Sequence, residues 1–597
     1  MPSIGPESEV DSAAVYLELR GCVFRGVKGF FAKYFEGQSW TAAAEQVAEN
    51  TPLDIASALC KELLELKSQA HFHPWLSRLQ SIFLADGQKA QICLANALDR
   101  PLGAMVYLVK PADKLKNTNN PPATDVRVFG DFGLDATDIG PDSVLRFCEM
   151  ARQVFQARPT RRFLHGFQIR GSTMELWMFD RSGAFSSEQL DLAGLPRLLI
   201  RIMASYALMP DEEVGFTSFI QHDGRGSYVA FGGADDNETA RLYLLKPIAA
   251  PQYLVGPGTT CYAATTSASQ HAGFVVKFAW REETTHTECE LLKLTKDRHV
   301  RGVIRAFGWQ DLLDSIQDLR KALRFHQPYD LMPVTENKWA TSEGDTLAST
   351  ATGSATNPDP QFINRILSCI ATAPLGRSIN KFDDIPEFLE ACRDVVKALK
   401  SLYEDGRILH RDICVKNLII PDRCRGEDAK GVLIDLDGAL DLGKGPARKG
   451  ELVGSEGFMA IGILTGDPHT YRHDLESLFY VFLWVSICND REYDDERSLR
   501  HQPETSRLRG WCSTNFRAVS QNKLVDMSPD GFPRILAEFS TAFSGLRGLA
   551  TELHQLLFPI RDEEIFTGTD MDQAETNRLY NGIIDAFNRA IAFSSQE

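Results

Sequence analysis

Apolar residues recur along this chain at two different spacings, and the switches between them mark out its elements. Spacings of three and four predict helices over Val144–Ala157, Leu195–Met209 and Glu387–Tyr403, the last with apolar Phe388, Leu389, Val395, Val396 and Leu399. From Trp40 to Leu66, apolar positions mix with charged ones at helix-like spacing, so the opening stretch reads as mainly helical. Short apolar and aromatic runs predict strands at Phe163–Ile169 and Thr173–Phe179, joined by the turn Arg170-Gly171-Ser172. The following Asp180 and Arg181 read as a polar turn with a surface ion pair. A strand-rich stretch takes in Gln252–Ala264 and a run ending Val275-Val276-Lys277, followed by a charged helix from about Thr285. Ile366–Ile370 reads as a further strand and Thr372–Ile379 as a connector. Pro111–Thr124 is polar and rich in breakers, a loop or boundary. Val334–Pro360, crowded with Ser, Thr, Gly, Asn and Asp, predicts a disordered insertion.

Length adds that several domains are present, since 597 residues exceed the roughly 100–200 that one domain holds. A formal charge of −16 argues against non-specific binding to nucleic acid or anionic membrane. The 12 cysteines form no C-x-x-C pair, so neither a zinc site nor a disulfide framework is indicated, and a reducing, intracellular compartment (cytoplasm or nucleus) is expected. The start, MPSIGPESEVDS, lacks the basic and apolar regions of a secretory signal. The longest apolar run, Phe479–Cys488, is about half the ~20 residues a membrane span needs.

The chemistry concentrates in Leu409–Asn417, LHRDICVKN, and in the apolar run that ends Ile434-Asp435-Leu436-Asp437. A strand-like run, His-Arg-Asp, and an Asn five places after the Asp form the catalytic-loop pattern of protein kinases. Phosphoryl transfer needs one carboxylate facing a substrate hydroxyl, and an amide oxygen and a second carboxylate holding magnesium against the phosphates. Asp412, Asn417 and Asp435 can fill those places. Upstream, Gly256 and Gly258 could let a hairpin backbone lie close to phosphates, or make a tight turn. Lys277 could reach phosphates while held by a helix glutamate, Glu288 in preference to Glu290, or could snorkel from a strand end. Asp474 opens an apolar helix, as an N-cap or as a buried carboxylate tying the catalytic loop down.

Leu409–Asn417, Val432–Ala439, Gly454–Ala460 and His473–Trp484 together resemble the fungal-type protein kinase family, a divergent branch of the protein kinase-like superfamily. Ala151–Gly183 looks like that family's N-terminal portion. The resemblance implies an α+β, bilobal protein kinase-like fold. A mainly helical region with a linker (1–124) and an α/β N-terminal module (125–250) would precede a β-rich small lobe (251–376) and a helical large lobe with C-terminal helices (377–597). It also implies transfer of the γ-phosphate of ATP, with Mg²⁺, to Ser or Thr of a protein substrate. Gly256 and Gly258 would lie over the phosphates, Lys277 would contact them, and Glu288 would pair with Lys277. Asp412 would accept or orient the hydroxyl proton, and Asn417 and Asp435 would hold the metal. His410, Arg411, Asp437, Asp474 and Ser455 would be structural or regulatory. A protein substrate and a partner of the N-terminal module are the expected binders; nucleic acid and membrane are not.

The chain departs from common protein kinases at four places. Cys414 stands where a lysine that touches the γ-phosphate is usual, Asp437 stands for the glycine of the metal-binding motif, and Cys261 stands for a third loop glycine. Ala460-Ile461-Gly462 replaces Ala-Pro-Glu and so lacks the carboxylate that anchors the segment. Asp437 also fits small-molecule phosphotransferases of the aminoglycoside or choline kinase type, and Gly462 fits a pseudokinase scaffold. Leu440–Gly454 contains no hydroxyl side chain, so activity without phosphorylation of that stretch is expected, with Ser455 the nearest candidate for a switch.

Overall fold

A computed structural model of the chain describes residues 12–66, 69–83, 91–94, 103–109, 122–133, 139–232, 239–266, 272–283, 287–331, 362–422, 429–488 and 505–594. The expected insertion at 334–360 lies outside them. The chain divides into two compact units: Met1–Gln270 with Val276–Glu283 and Gln310–Cys369, and His271–Val275 with Thr284–Trp309 and Ile370–Glu597.

The first unit opens with helices α1 (Ser12–Leu19), α2 (Phe30–Phe35), α3 (Thr41–Asn50), α4 (Leu53–Glu65) and α5 (Gln69–Phe83). The pattern from Trp40 to Leu66 is therefore two helices. Pro52 forces its predecessor out of the helical region, and Thr51 is extended. Later come α6 (Pro141–Ala157) and α7 (Pro196–Leu208). Its first sheet comprises β1 (Val23–Val27), β2 (Gln91–Leu94), β3 (Gly103–Val109), β4 (Val126–Gly133), β5 (Leu164–Arg170), β6 (Thr173–Asp180), β7 (Gly183–Ser187) and the short β8 (Leu190–Asp191). The order is β1-β7-β6-β5-β4-β3-β2, with β8 on β6. β4 and β5 are parallel, and the chain crosses between them through α6, as a parallel pair requires.

Both faces of this sheet are covered. On β6, Met174, Leu176 and Met178 join the core built by α3, α4, α5 and α7, while Trp177 and Phe179 join the one built by α1 and α6. The region expected to be mainly helical thus supplies three strands, β1 to β3, and the boundary expected at 124 runs through one continuous sheet. VFRGV and QICL are too short and too mixed to stand out as strands before their partners are known.

Asp180 and Arg181 are not a surface pair. Asp180 is 1% exposed and accepts from Arg320 Nε and Nη2 at 2.8 and 2.7 Å. Arg181 is fully buried and donates to the carbonyls of Pro159, Tyr253 and Leu254. Each charge found a different distant partner, because a buried ion must be matched group by group.

The second sheet contains β9 (Gln221–Asp223), β10 (Gly226–Gly232), β11 (Thr239–Ala249), β12 (Thr260–Thr266), β13 (Phe274–Glu282), β14 (Arg305–Ser315) and β15 (Arg365–Ala373). Its order is β14-β15-β13-β12-β11-β10-β9. The boundary expected at 250 therefore falls inside the β11–β12 hairpin. After β13 comes α8 (Glu288–Asp297), and after β14 comes α9 (Ile316–Arg320).

The second unit is built on helices. Three small strands, β16 (Gly376–Ser378), β18 (Leu418–Pro421) and β19 (Val432–Leu433), form one sheet, and β17 (Ile408–Leu409) pairs with β20 (Leu440–Asp441). Around them lie α10 (Ile385–Glu404), α11 (Ile461–Leu464), α12 (Tyr471–Cys488), α13 (Phe516–Asp526), α14 (Phe532–Ala537), α15 (Arg547–Leu557) and α16 (Gln573–Ser594). The long apolar run of the sequence is the core helix α12, buried along its length except at Cys488 and packed with α10 and α15. Among the described residues, no helix is long and apolar enough to cross a membrane.

Candidate active site

The loop after β17 is fixed from behind by one carboxylate. Asp474, in the first turn of α12, accepts the backbone N–H groups of His410 and Arg411, each at 2.9 Å, and lies 2.9 Å from His469 Nε2. Burial works to raise its pKa, but His469, by charge and hydrogen bond, and His410 outweigh it and hold the carboxyl below the usual carboxylate range. The N-cap alternative is thereby answered: the side chain serves a distant loop. Arg411 has φ +69°, a conformation that costs a non-glycine residue energy and persists when its surroundings fix it. Its Nε donates to Gly438 O at 2.7 Å, and its Nη1 lies 3.0 Å from Glu451. His410 is fully buried, with Nε2 3.1 Å from Ile434 O.

This backbone presents Asp412. Asn417, in a single 3-10 turn over Val415–Asn417, donates Nδ2 to Asp412 O and to Asp412 Oδ2, both at 2.9 Å. The amide nitrogen is thus engaged, and Oδ1 is the atom Asn417 has left for a cation. Asp412 Oδ1 is buried and has no hydrogen-bond partner within the protein. A carboxylate held at one oxygen, with a buried and unsatisfied second oxygen, is arranged to take a proton from a hydroxyl brought against it.

The adjoining β18–β19 ladder pairs Leu418 with Leu433, and Ile434 N donates to Asn417 O at 3.0 Å, which sets Asn417 beside the residue preceding Asp435. Asp435 has φ +66°. Single carboxylate oxygens of Glu288, Asp435 and Asp437 lie within 4.8 Å of one another. Glu288 Oε1 also accepts Leu436 N at 3.3 Å. Each offers one oxygen to a common point, so the three together could hold a cation. Carboxylate and amide oxygens suit a hard ion such as Mg²⁺ rather than zinc or copper. Asp435 is the expected metal ligand, Glu288 the expected partner of Lys277 and Asp437 a structural or regulatory residue; the structure brings Glu288 and Asp437 close to Asp435. Of the two glutamates weighed, Glu290 closes a capping box with Thr287, while Glu288 is the one that turns inward.

Lys277 is half-buried on β13, between buried Val276 and Phe278. Gly256 and Gly258 lie in the β11–β12 connection with φ of +129° and +54°, and a Cβ on Gly258 would sit 2.5 Å from Arg181 Nε. That loop is clasped to the first sheet: Arg181 binds the carbonyls of Tyr253 and Leu254, and Glu18 accepts the N–H groups of Leu254 and Val255. Burial pushes the Cys414 thiol up to about 11, against the nearby Ser455 hydroxyl, which favours the thiolate.

Beyond the loop, Gly454–Leu464 leads into α12. The carboxylate missing at Gly462 is supplied from elsewhere. Glu476, fully buried on α12, accepts Ile461 N at 2.7 Å, Tyr480 Oη at 2.7 Å and Arg472 Nη1 at 2.6 Å. Arg472 goes on to Leu557 O at 2.6 Å. Burial opposes the charge on Glu476, but Arg472 and His473 and these hydrogen bonds keep its pKa low. Gly462 itself has no room for a side chain, since a Cβ would lie 2.5 Å from His473 Nε2. Only the i, i+4 spacing of Arg472 and Glu476 could have pointed to this pair, and on a helix that spacing signals a surface bridge more often than a buried one.

A family model described as fungal protein kinase matches residues 104–486. No curated protein matches the chain. The matched span contains the loop around Asp412, the Asp435 cluster and the Glu476 anchor, and with them the expected resemblance is established: the chain belongs to the fungal protein kinase family.

Proposed function

We propose that this chain is an active, ATP-dependent protein kinase that phosphorylates Ser or Thr hydroxyls, on a bilobal kinase-like fold. The observation that carries this reading is the Asp412–Asn417 pair beside three converging carboxylates. Asp412 Oδ1 would take the hydroxyl proton as the oxygen attacks phosphorus, with Asn417 Nδ2 keeping the carboxylate aimed. Asn417 Oδ1, Asp435, Asp437 and Glu288 would hold the metal. Bound magnesium would neutralise the charge that spreads over the transferred phosphoryl group. Lys277 is the proposed contact to the nucleotide phosphates. The Glu476 anchor at Ile461 favours a protein over a small-molecule substrate, because it fixes the end of Gly454–Ala460, a segment whose first residues, Gly454–Glu456, are open to solvent.

Full-length protein incubated with labelled ATP, Mg²⁺ and mixed protein substrates should transfer label, and Asp412→Asn should not. Label found only on small alcohols or amines would move the assignment to a small-molecule phosphotransferase. A wild type indistinguishable from Asp412→Asn would leave a scaffold. Nucleotide binding is read separately, since Mg-ATP at 100 times its Kd should stabilise the fold by about 2.7 kcal/mol.

A further inference from the structure

Lys523 lies on α13 and is fully buried, which is rare for lysine without an anionic partner. Among the described residues no carboxylate stands within ion-pair distance of it. Instead its Nζ donates to Gly457 O at 2.8 Å and Met459 O at 2.7 Å, and sits 3.9 Å from the centre of the Tyr480 ring. Two residues on, Ile461 N donates to Glu476. The backbone of 457–461 is therefore gripped by a cation at its carbonyls and an anion at its amide. The side chains add a third hold: Met459, Ala460, Ile463 and Leu464 pack against Val519 of α13. Gly457 has φ +86°, and a Cβ there would come within 3.3 Å of Cys512 Sγ, so the segment has one path through this clamp.

Burial on this scale is costly for an ammonium group, and it pulls Lys523 down to about 7 against the opposing influence of Glu476 and Cys512. In some proteins a costly buried charge is kept because it fixes one geometry among several. We propose that Lys523 is a positioning residue for the protein substrate: it fixes the buried backbone of Gly457–Met459 and so sets the path of the partly exposed Val453–Glu456 that leads into it, against which the acceptor chain lies. This rests on the reading of Gly454–Ala460 as the substrate platform. It makes specificity depend on a helix downstream of the family match, which ends at 486.

The test compares full-length wild type with Lys523→Met, which keeps the length and removes the donors, and Lys523→Gln, which keeps an N–H donor. Lost hydrogen bonds from a charged donor predict a rise of about tenfold in KM for a protein acceptor, with KM for ATP unchanged, and a smaller rise for Lys523→Gln. A parallel loss for both substrates, or no change in either, overturns the proposal. Backbone hydrogen exchange at Phe458–Ile461 is read alongside, in wild type and Lys523→Met. Slow exchange in wild type that quickens in the variant is expected whether or not the protein turns over. Exchange in wild type as fast as at the exposed Glu451 and Leu452 overturns the clamp itself. Absence of any phosphate transfer by wild type would count against the kinase reading, while the exchange result still decides Lys523.

Discussion

Glu451 offers the sharpest test of how the catalytic loop is switched on. In many kinases an added phosphate orders the activation segment by pairing with arginine. Here Glu451 stands within a stretch that has no hydroxyl, and it already meets Arg411 at 3.0 Å. Glu451→Gln keeps the shape and removes the charge. Arg411 is 11% exposed and Glu451 39%, so the pair ranks between surface bridges and buried ones. Exposed pairs are worth up to about 1 kcal/mol and a broken buried pair costs 3–5, so a loss of about 1.4 kcal/mol, or tenfold in an ordering equilibrium, is the working figure. If the segment is ordered about ten to one in wild type, the variant falls to about one to one and kcat drops about twofold; if wild type starts near one to one, the drop is about fivefold. Steady-state kinetics at low and high salt read this directly. The gap between the two proteins should narrow towards 1 M salt, where the Debye length is only about 3 Å. Equal kcat at low salt would refute the carboxylate's role. So would inactivation of wild type by phosphatase with recovery in a Ser455 phosphomimetic, since that would return the switch to a hydroxyl.

Three other outcomes follow from the site. Asp435→Ala should abolish turnover while leaving the far-ultraviolet circular dichroism unchanged, and near-normal activity would remove Asp435 from the metal site. Gly462→Glu, which writes back the usual carboxylate, should lower thermal stability rather than raise activity, because the buried His473 ring, tied to Thr470 N at 3.0 Å, occupies the space; overpacking of this kind costs about 1–3 kcal/mol. Asp474 has a folded pKa below its unfolded value, so its contribution to stability is present above about pH 4 and is lost as pH falls through the folded value. Asp474→Asn should be less stable at pH 7 and should show a flatter loss as pH falls below about 4; equal slopes in denaturant titrations below that pH would count against it.

The parts of the site that lie close together in sequence were legible there. His-Arg-Asp, the Asn five residues on and the acidic pair after an apolar strand carry their spacing with them, and the local ladder between β18 and β19 brings them together. Asp474 was legible because it opens an apolar helix. Glu476 and Lys523 were not. A charged residue within a helix reads as solvated, and only the fold shows which backbone groups it satisfies. The same holds for Asp180, whose partner Arg320 is 140 residues away. Helix positions survived well because their periodicity is long. The first three strands were lost because a run of a few residues says little until its neighbour in the sheet is known.

The clasp on the β11–β12 connection has a consequence for how this protein can be divided. The family match begins at 104, inside β3, which invites trimming the chain to a catalytic fragment. A fragment cut at the expected small-lobe start, residue 251, would lose Glu18 and Arg181, leaving the amides of Leu254 and Val255 and the carbonyls of Tyr253 and Leu254 without their protein partners. It would also lose β9, β10 and β11, and so bare the edge of β12, a template for aggregation. A fragment that starts at 251 is therefore expected to aggregate, and a usable truncation has to keep Glu18, Arg181 and the strands from β9 onward.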